Sequence, residues 1–315
     1  MKDGHLPVLA EEVVTMLAPA PGSLQIDATV GGGGHTERIL EATDPDGRLL
    51  GLDADGAAIA RVDRRLRPRF GDRLVLRRAN FRDLAAVAPE AGFGRVDGAL
   101  FDLGLSSFQL ADTDRGFGIR TGGPLDMRFD PSRGVPAAEL LATLDAGELT
   151  ALLRRFGEEP NAGRIARAIV ETRRTGPITT AEELAALIER TAPHGPRGRR
   201  RIHPATRVFQ ALRIAVNEEL DSLQSGLAAA VDLLRPGGRV VVLSYHSLED
   251  RIVKRFFAAE RRGCTCPPEI PVCICGRQPR LRLVTRPSLT PTPEEIATNP
   301  RSRSARLRAA ERLAA

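Results

Sequence analysis

The sequence predicts an α/β fold built on βαβ units, with an all-helical domain inserted into it. Three observations predict this. A short apolar strand at residues 24–30 breaks into four glycines, Gly31, Gly32, Gly33 and Gly34, ahead of a helical pattern. Two further apolar runs, at 49–52 and 96–101, each deliver an aspartate, Asp53 and Asp102, at the carboxyl edge where open α/β sheets bind ligands. The next clear strand begins only at 239, and loops and crossover helices are normally far shorter than that gap.

The elements follow in order. His5-Leu6-Pro7-Val8-Leu9 is extended, because the residue before a proline avoids the α region, and 11–17 reads as a short helix. Glycines lack a Cβ, so the turn at 31–34 lets backbone N–H groups approach a ligand, and the helix expected from Thr36 adds the positive end of its dipole. This is a nucleotide-type cofactor cradle. The dinucleotide fingerprint G-x-G-x-x-G is met at Gly31 and Gly33 but not at Thr36. Asp27, ahead of the turn, suits S-adenosylmethionine, whose ammonium wants an anion. Asp53 follows the glycines by about 20 residues, where an acid takes ribose hydroxyls.

Residues 57–66 are helical and 74–76 form a third strand, leading to Phe81, an aromatic placed to pack on an adenine face or in the core. The fourth strand is 96–102. A long helix at about 207–234 and a turn at 235–238 introduce the fifth, 239–244. Helical periodicity fills the insert at 137–144, 148–156, 162–173 and 181–191, the last opened by a Thr180/Glu183 capping box. The Gly-, Asp- and Arg-rich stretch 115–134 reads as a structured site loop. These boundaries give a core of 1–108 and 206–315 around an insert of 109–205.

At 315 residues the chain can bury two domains' worth of core. It carries a formal charge of +6, and the excess is concentrated after residue 276, where nine arginines face three glutamates. Such a basic tail resembles a nucleic-acid footprint, as does the run 197–201. No secretory signal and no membrane-length apolar run is present, so a cytoplasmic protein is expected. The four cysteines, Cys264, Cys266, Cys273 and Cys275, could bind zinc, but Cys-x-Cys is not the usual knuckle spacing, and reduced thiols are the preferred expectation. The residues do not decide between a monomer and a homodimer.

Together these blocks resemble one family along nearly the whole chain, the bacterial 16S ribosomal RNA cytosine-N4 methyltransferases, or MraW family. The resemblance is carried by His5-Leu6-Pro7-Val8, Asp27-Ala28-Thr29 with the glycines and His35, Asp102-Leu103-Gly104-Leu105-Ser106-Ser107 and Arg115-Gly116-Phe117. It continues in Leu125-Asp126-Met127-Arg128, Gly157-Glu158-Glu159, Phe209-Gln210-Ala211-Leu212-Arg213-Ile214, His246-Ser247-Leu248-Glu249-Asp250-Arg251 and Asn299-Pro300-Arg301. It implies a Rossmann-like class I methyltransferase core, S-adenosylmethionine as donor and a decoding-region cytosine of 16S ribosomal RNA as acceptor; an assembled small subunit is the expected partner, and the residues do not decide between it and naked RNA as substrate. Cofactor contacts carried over by position are Gly33, Gly34, His35, Asp53, Phe81, Asp102 and Gln109. Tyr245 departs from the family's usual phenylalanine, and Gly118-Ile119 from its Ser-Phe.

The chemistry is consistent with that. Cytosine's exocyclic amine is a poor nucleophile, so acceptors must hold its N–H groups in line with the methyl, and positioning supplies most of the rate, roughly 7–11 kcal/mol. Asp102, Ser106 and Ser107 are the acceptor candidates, His246 the group to take the released proton, and Phe117, Asp126 and Arg128 the candidate base contacts. Two rival functions remain open on sequence: an NAD-dependent oxidoreductase, and a non-catalytic RNA-binding assembly factor.

Overall fold

The structure, a computed structural model, describes residues 6–120, 122–191, 203–264, 266–267, 272 and 274–314. The arginine run 197–201, His5 and Cys273 lie outside the described residues. The chain divides into two compact units, Met1–Leu105 with Leu220–Ala315, and Ser106–Glu219.

The first unit begins α1 (Ala10–Leu17), β1 (Leu24–Asp27), α2 (Gly34–Ala42), β2 (Arg48–Asp53), α3 (Gly56–Phe70), β3 (Leu74–Arg78), α4 (Leu84–Glu90) and β4 (Val96–Asp102). The second unit holds α5 (Ser107–Ala111), α6 (Ala137–Thr143), α7 (Ala146–Gly157), α8 (Ala162–Thr172), α9 (Ala181–Thr191) and α10 (Thr206–Asn217). The chain then completes the first unit with α11 (Glu219–Leu233), β5 (Leu234–Ser244), α12 (Ser247–Arg262), β6 (Leu281–Leu283), α13 (Pro293–Thr298) and β7 (Arg306–Arg312). Among the described residues no helix is long and apolar enough to cross a membrane.

One seven-stranded sheet, in the order β3-β2-β1-β4-β5-β7-β6, organises the first unit. β1 to β5 are parallel, while β7 runs antiparallel to β5 and β6. Its central strands are apolar runs, with Leu49, Leu50, Leu52, Leu100 and Phe101 fully buried, because helices cover both faces. Phe93, Leu227, Val231, Val253 and Phe257 fill one face; Val13, Leu17, Ile39, Val62 and Leu66 fill the other. The strand order reverses at β1, between β2 and β4. That switch point is where a doubly wound sheet leaves an open crevice at its carboxyl edge.

Four expectations are corrected. The long helix at 207–234 is two helices, broken at Glu218, whose φ of 49° puts a non-glycine residue in the left-handed region. Arg213 donates to both carboxylate oxygens of Glu219, at 2.8 and 3.0 Å, and fastens the break. The second unit therefore runs through α10 to Glu219, past the boundary read at 205, because α10 packs on α7: a Cβ at Gly157 would lie 2.5 Å from the Arg207 carbonyl. The fifth strand begins at Leu234, and the 235–238 turn is an irregularity inside it. Finally, the basic tail is not a tail. Its last arginines belong to β7, where Leu307, Ala309 and Ala310 are buried and Leu307 alone is worth about 1.5–3 kcal/mol. Arg308 pairs with Asp250 and Arg282 with Glu311, so part of the excess charge is neutralised within the fold.

Candidate active site

Three carboxylates stand along the carboxyl edge of the sheet, one at the end of each central strand. Asp27 lies opposite Gly51 and Leu100, two residues short of the ends of β2 and β4, so Asp53 and Asp102 flank it from one step further out. Asp27 is 1% exposed and accepts from the Thr36 hydroxyl at 2.7 Å and the Thr29 N–H at 3.1 Å. Burial raises its pKa from 3.8 to about 6, against those hydrogen bonds. Asp53 accepts from the N–H groups of Gly31 and Asp55, each at 2.8 Å, and burial likewise raises it to about 6, with the charges of Asp55 and Asp27 adding.

The glycine turn is shaped by these contacts. Gly31 and Gly33 have φ of 52° and 78°, and a Cβ at Gly33 would lie 2.9 Å from both Val62 and Arg65. A side chain there is excluded by conformation and by space. α2 starts at Gly34, with His35 buried in its first turn and its Nε2 3.5 Å from an Asp102 carboxylate oxygen. The turn, His35, Asp53 and Asp102 are thus brought together. Phe81 sits at the end of β3, edge-on to Phe101 with ring centroids 5.6 Å apart, and over Gly226, so one edge of the ring is committed to the core.

Asp102 is the most perturbed of the three. The Tyr245 hydroxyl donates to it at 2.7 Å, and the Asp102 N–H donates to the Thr29 hydroxyl at 2.6 Å. Burial pushes its pKa to about 7 against the Tyr245 hydrogen bond, helped by the charges of Asp27 and Glu249. A quarter of the side chain (26%) stays open to solvent, so an incoming group can reach it. Among the described residues no lysine or arginine pairs with Asp27, Asp53 or Asp102. The edge is therefore rich in acceptors that no lysine or arginine neutralises, and the amine, sulfonium and hydroxyl groups of S-adenosylmethionine fit that set.

Tyr245 is the residue that motif reasoning passed over. On sequence it departs from the family's phenylalanine, and its hydroxyl, which reaches Asp102, is what distinguishes it here. His246 stands just beyond the end of β5, as expected. It caps α12, with Nδ1 accepting from the Glu249 N–H at 3.4 Å and Nε2 3.1 Å from the Glu249 carboxylate. Glu249 in turn accepts from the N–H groups of Tyr245 and His246, at 2.8 and 3.2 Å. Nδ1 is thus held by the capping box, while Nε2 lies beside the Glu249 carboxylate without a hydrogen bond among the described residues.

Residues 106–219 form their own constellation. Ser106 and Gln109 make a reciprocal capping box at the start of α5. The described residues of the 115–134 loop are tightly held, as expected of a structured loop. Met127 takes a φ of 63°, Asn217 donates to its carbonyl at 2.7 Å, and Gly123 is so close to Thr113 that no Cβ fits. Within it Asp126 and Arg128 pair with each other at 2.7 Å. Phe117 is 4% exposed and stacked on Phe129, which makes it a packing anchor and withdraws it as a surface for a base.

Known proteins share this chain's pattern from end to end. Ribosomal RNA small subunit methyltransferase H of Thermomicrobium roseum is 59% identical over 310 residues, covering 98% of this chain and 94% of that protein. The protein of the same name from Trichlorobacter lovleyi is 52% identical over 309 residues, covering 98% of each. A solved rRNA methylase from Streptococcus thermophilus matches at a TM-score of 0.44 and 10% identity, over 97% of this chain and 94% of that one, too distant to bear on the site. The family described as the MraW methylase family matches residues 2–313, and the chain belongs to it.

Proposed function

We propose that this chain methylates the exocyclic N4 amine of a cytosine in the decoding region of small-subunit ribosomal RNA, using S-adenosylmethionine. The observation that carries the reaction class is the set of unneutralised aspartates, Asp27, Asp53 and Asp102, around a glycine turn at the switch point of the sheet. The acceptor rests on the relatives' name and on the motif resemblance. Family membership leaves the oxidoreductase reading without support.

When bound, the cofactor supplies an electrophilic methyl group on a sulfonium. The rest falls to this chain's residues. Asp53 is proposed to receive the ribose hydroxyls, the backbone at Gly33, Gly34 and His35 with the buried Asp27 the amino-acid end, and the outer face of Phe81 the adenine. Gln109 is retained as a proposed contact. Asp102 is proposed to accept an N–H of the cytosine amine and then the proton released after transfer, since a carboxylate with pKa about 7 is matched to that task at neutral pH. His246 is better assigned to holding Glu249, and through it the backbone that carries Tyr245. The second unit, Ser106–Glu219, is proposed to face the RNA.

The test is calorimetry with S-adenosylmethionine and with NAD on wild type and Asp53→Ala. We expect binding of the methyl donor alone, weakened about tenfold or more in the variant, because at least one charge-assisted hydrogen bond is lost. NAD binding without methyl-donor binding would sink the proposal.

A further inference from the structure

Beyond the methyl-transfer site, the segment joining α12 to β6 gathers three sulfurs. The Sγ atoms of Cys264, Cys266 and Cys275 all lie within 4.8 Å of one another, and those of Cys264 and Cys275 are 3.8 Å apart. That is nearly twice a disulfide bond length, about 2.05 Å. It matches the edge of a tetrahedron of sulfurs about 2.3 Å from a central zinc, which works out at about 3.8 Å. The Ile274 N–H donates to Cys266 Sγ at 3.4 Å, a contact that steadies a thiolate in an outer shell.

The surroundings say why a staple belongs there. The neck of the loop is clamped: Gly263 presses on the Gln278 backbone, which a Cβ would meet at 2.5 Å, and Arg280 pairs with Glu260 and donates its N–H to the Glu260 carbonyl at 2.8 Å. Among the described residues beyond the neck, Val272 is 70% and Ile274 77% exposed. Side chains so exposed contribute little burial, and a cross-link or metal can hold such a segment instead.

We propose that Cys264, Cys266 and Cys275 supply three thiolate ligands to one tetrahedral zinc ion that ties together the two arms carrying them. Sulfur ligands at tetrahedral spacing select zinc or an iron–sulfur centre, and a single ion fits three sulfurs this close. The sequence preference for reduced thiols rested on Cys-x-Cys spacing, but the fold recruits ligands from two arms of one loop, so within-motif spacing does not decide. α12 has 16 residues and begins next to Tyr245. At 1.5 Å per residue its far end lies about 24 Å from the Asp102 edge, so the ion is structural, not catalytic.

The experiment uses the full chain, purified under reductant without chelators or metal-affinity resin. Zinc is measured by mass spectrometry, and cobalt(II) is substituted for its spectrum. The proposal expects about one zinc per chain, and a cobalt form with the intense visible bands and thiolate charge-transfer absorption of a tetrahedral sulfur site. Cys264→Ser and Cys275→Ser should each lower occupancy by roughly tenfold or more, with S-adenosylmethionine affinity unchanged as the control for folding. If those variants misfold, the wild-type cobalt spectrum still decides. Wild type that takes up no zinc from an equimolar solution, a weak octahedral cobalt spectrum, iron–sulfur absorption, or an intact mass showing a Cys264–Cys275 disulfide would each overturn it.

Discussion

Replacing Tyr245 with phenylalanine removes one hydroxyl and leaves the ring, so the change isolates the 2.7 Å hydrogen bond to Asp102. That bond favours the charged carboxylate and holds its pKa down against burial, the larger influence, so that it rests at about 7. A hydrogen bond to a charged group is worth about 1.5–3 kcal/mol, and with a quarter of Asp102 exposed the lower end applies. At 1.36 kcal/mol per unit the Asp102 pKa should rise by about one unit in the variant. If ionised Asp102 accepts the amine, the acid limb of single-turnover methylation moves up by about one pH unit. The rate then falls roughly fivefold at pH 7 and hardly at all at pH 9. Cofactor affinity is expected to stay near wild type. The assay is single-turnover methylation of small subunits lacking the modification, from pH 6 to 9. An unshifted limb, or a loss equal at every pH, would refute the role given to Asp102.

The remaining predictions concern stability and RNA. Asp27, Asp53 and Asp102 have folded pKa values of about 6, 6 and 7 against 3.8 unfolded, so the folded chain binds more protons between about pH 4 and 7. These groups contribute stability that is full below pH 4 and lost as pH rises through 6 to 7. The apo protein should therefore melt lower at pH 8 than at pH 5, with the cofactor restoring much of the difference. Asp27→Asn should raise neutral-pH stability by at most about 3 kcal/mol while weakening cofactor binding; a variant melting curve with an unchanged pH dependence would contradict this. Arg301 and Arg303 are exposed within the basic segment, just ahead of β7. Replacing both with alanine should reduce the salt dependence of RNA binding by about 0.7 log–log units per lost phosphate contact and spare cofactor binding; an unchanged slope would remove them from the interface.

The methyltransferase half of the fold was legible because its signals are local. Apolar runs ending in Asp27, Asp53 and Asp102 state both strand and site edge, and four glycines mark a turn that only glycine fills at Gly33. The break at Glu218 was not legible, since no glycine or proline announces it and the Arg213–Glu219 pair that fastens it is a tertiary feature. β7 was hidden for a similar reason. Arg-Leu-Arg-Ala-Ala-Glu-Arg has weak strand propensity and becomes a strand through pairing with β5 and ion pairs from distant carboxylates. At the site, residue types were readable but their partners were not. The motif that suggests His246 as a base is equally a capping motif, and its three-residue spacing to Glu249 commits Nδ1 to the cap. At Tyr245 the sequence shows only a departure from the family's phenylalanine, because the hydroxyl's partner, Asp102, lies 143 positions away.

The most direct test of the central claim is made on the product. Small subunits from cells lacking this protein would be incubated with the purified chain and S-adenosylmethionine labelled at the methyl group, and the recovered ribosomal RNA digested and read by mass spectrometry. The account predicts a single methyl group on N4 of a decoding-region cytosine with wild type, and strong loss with Asp102→Asn. Label elsewhere, no label with wild type, or full label with the Asp102 variant would contradict it.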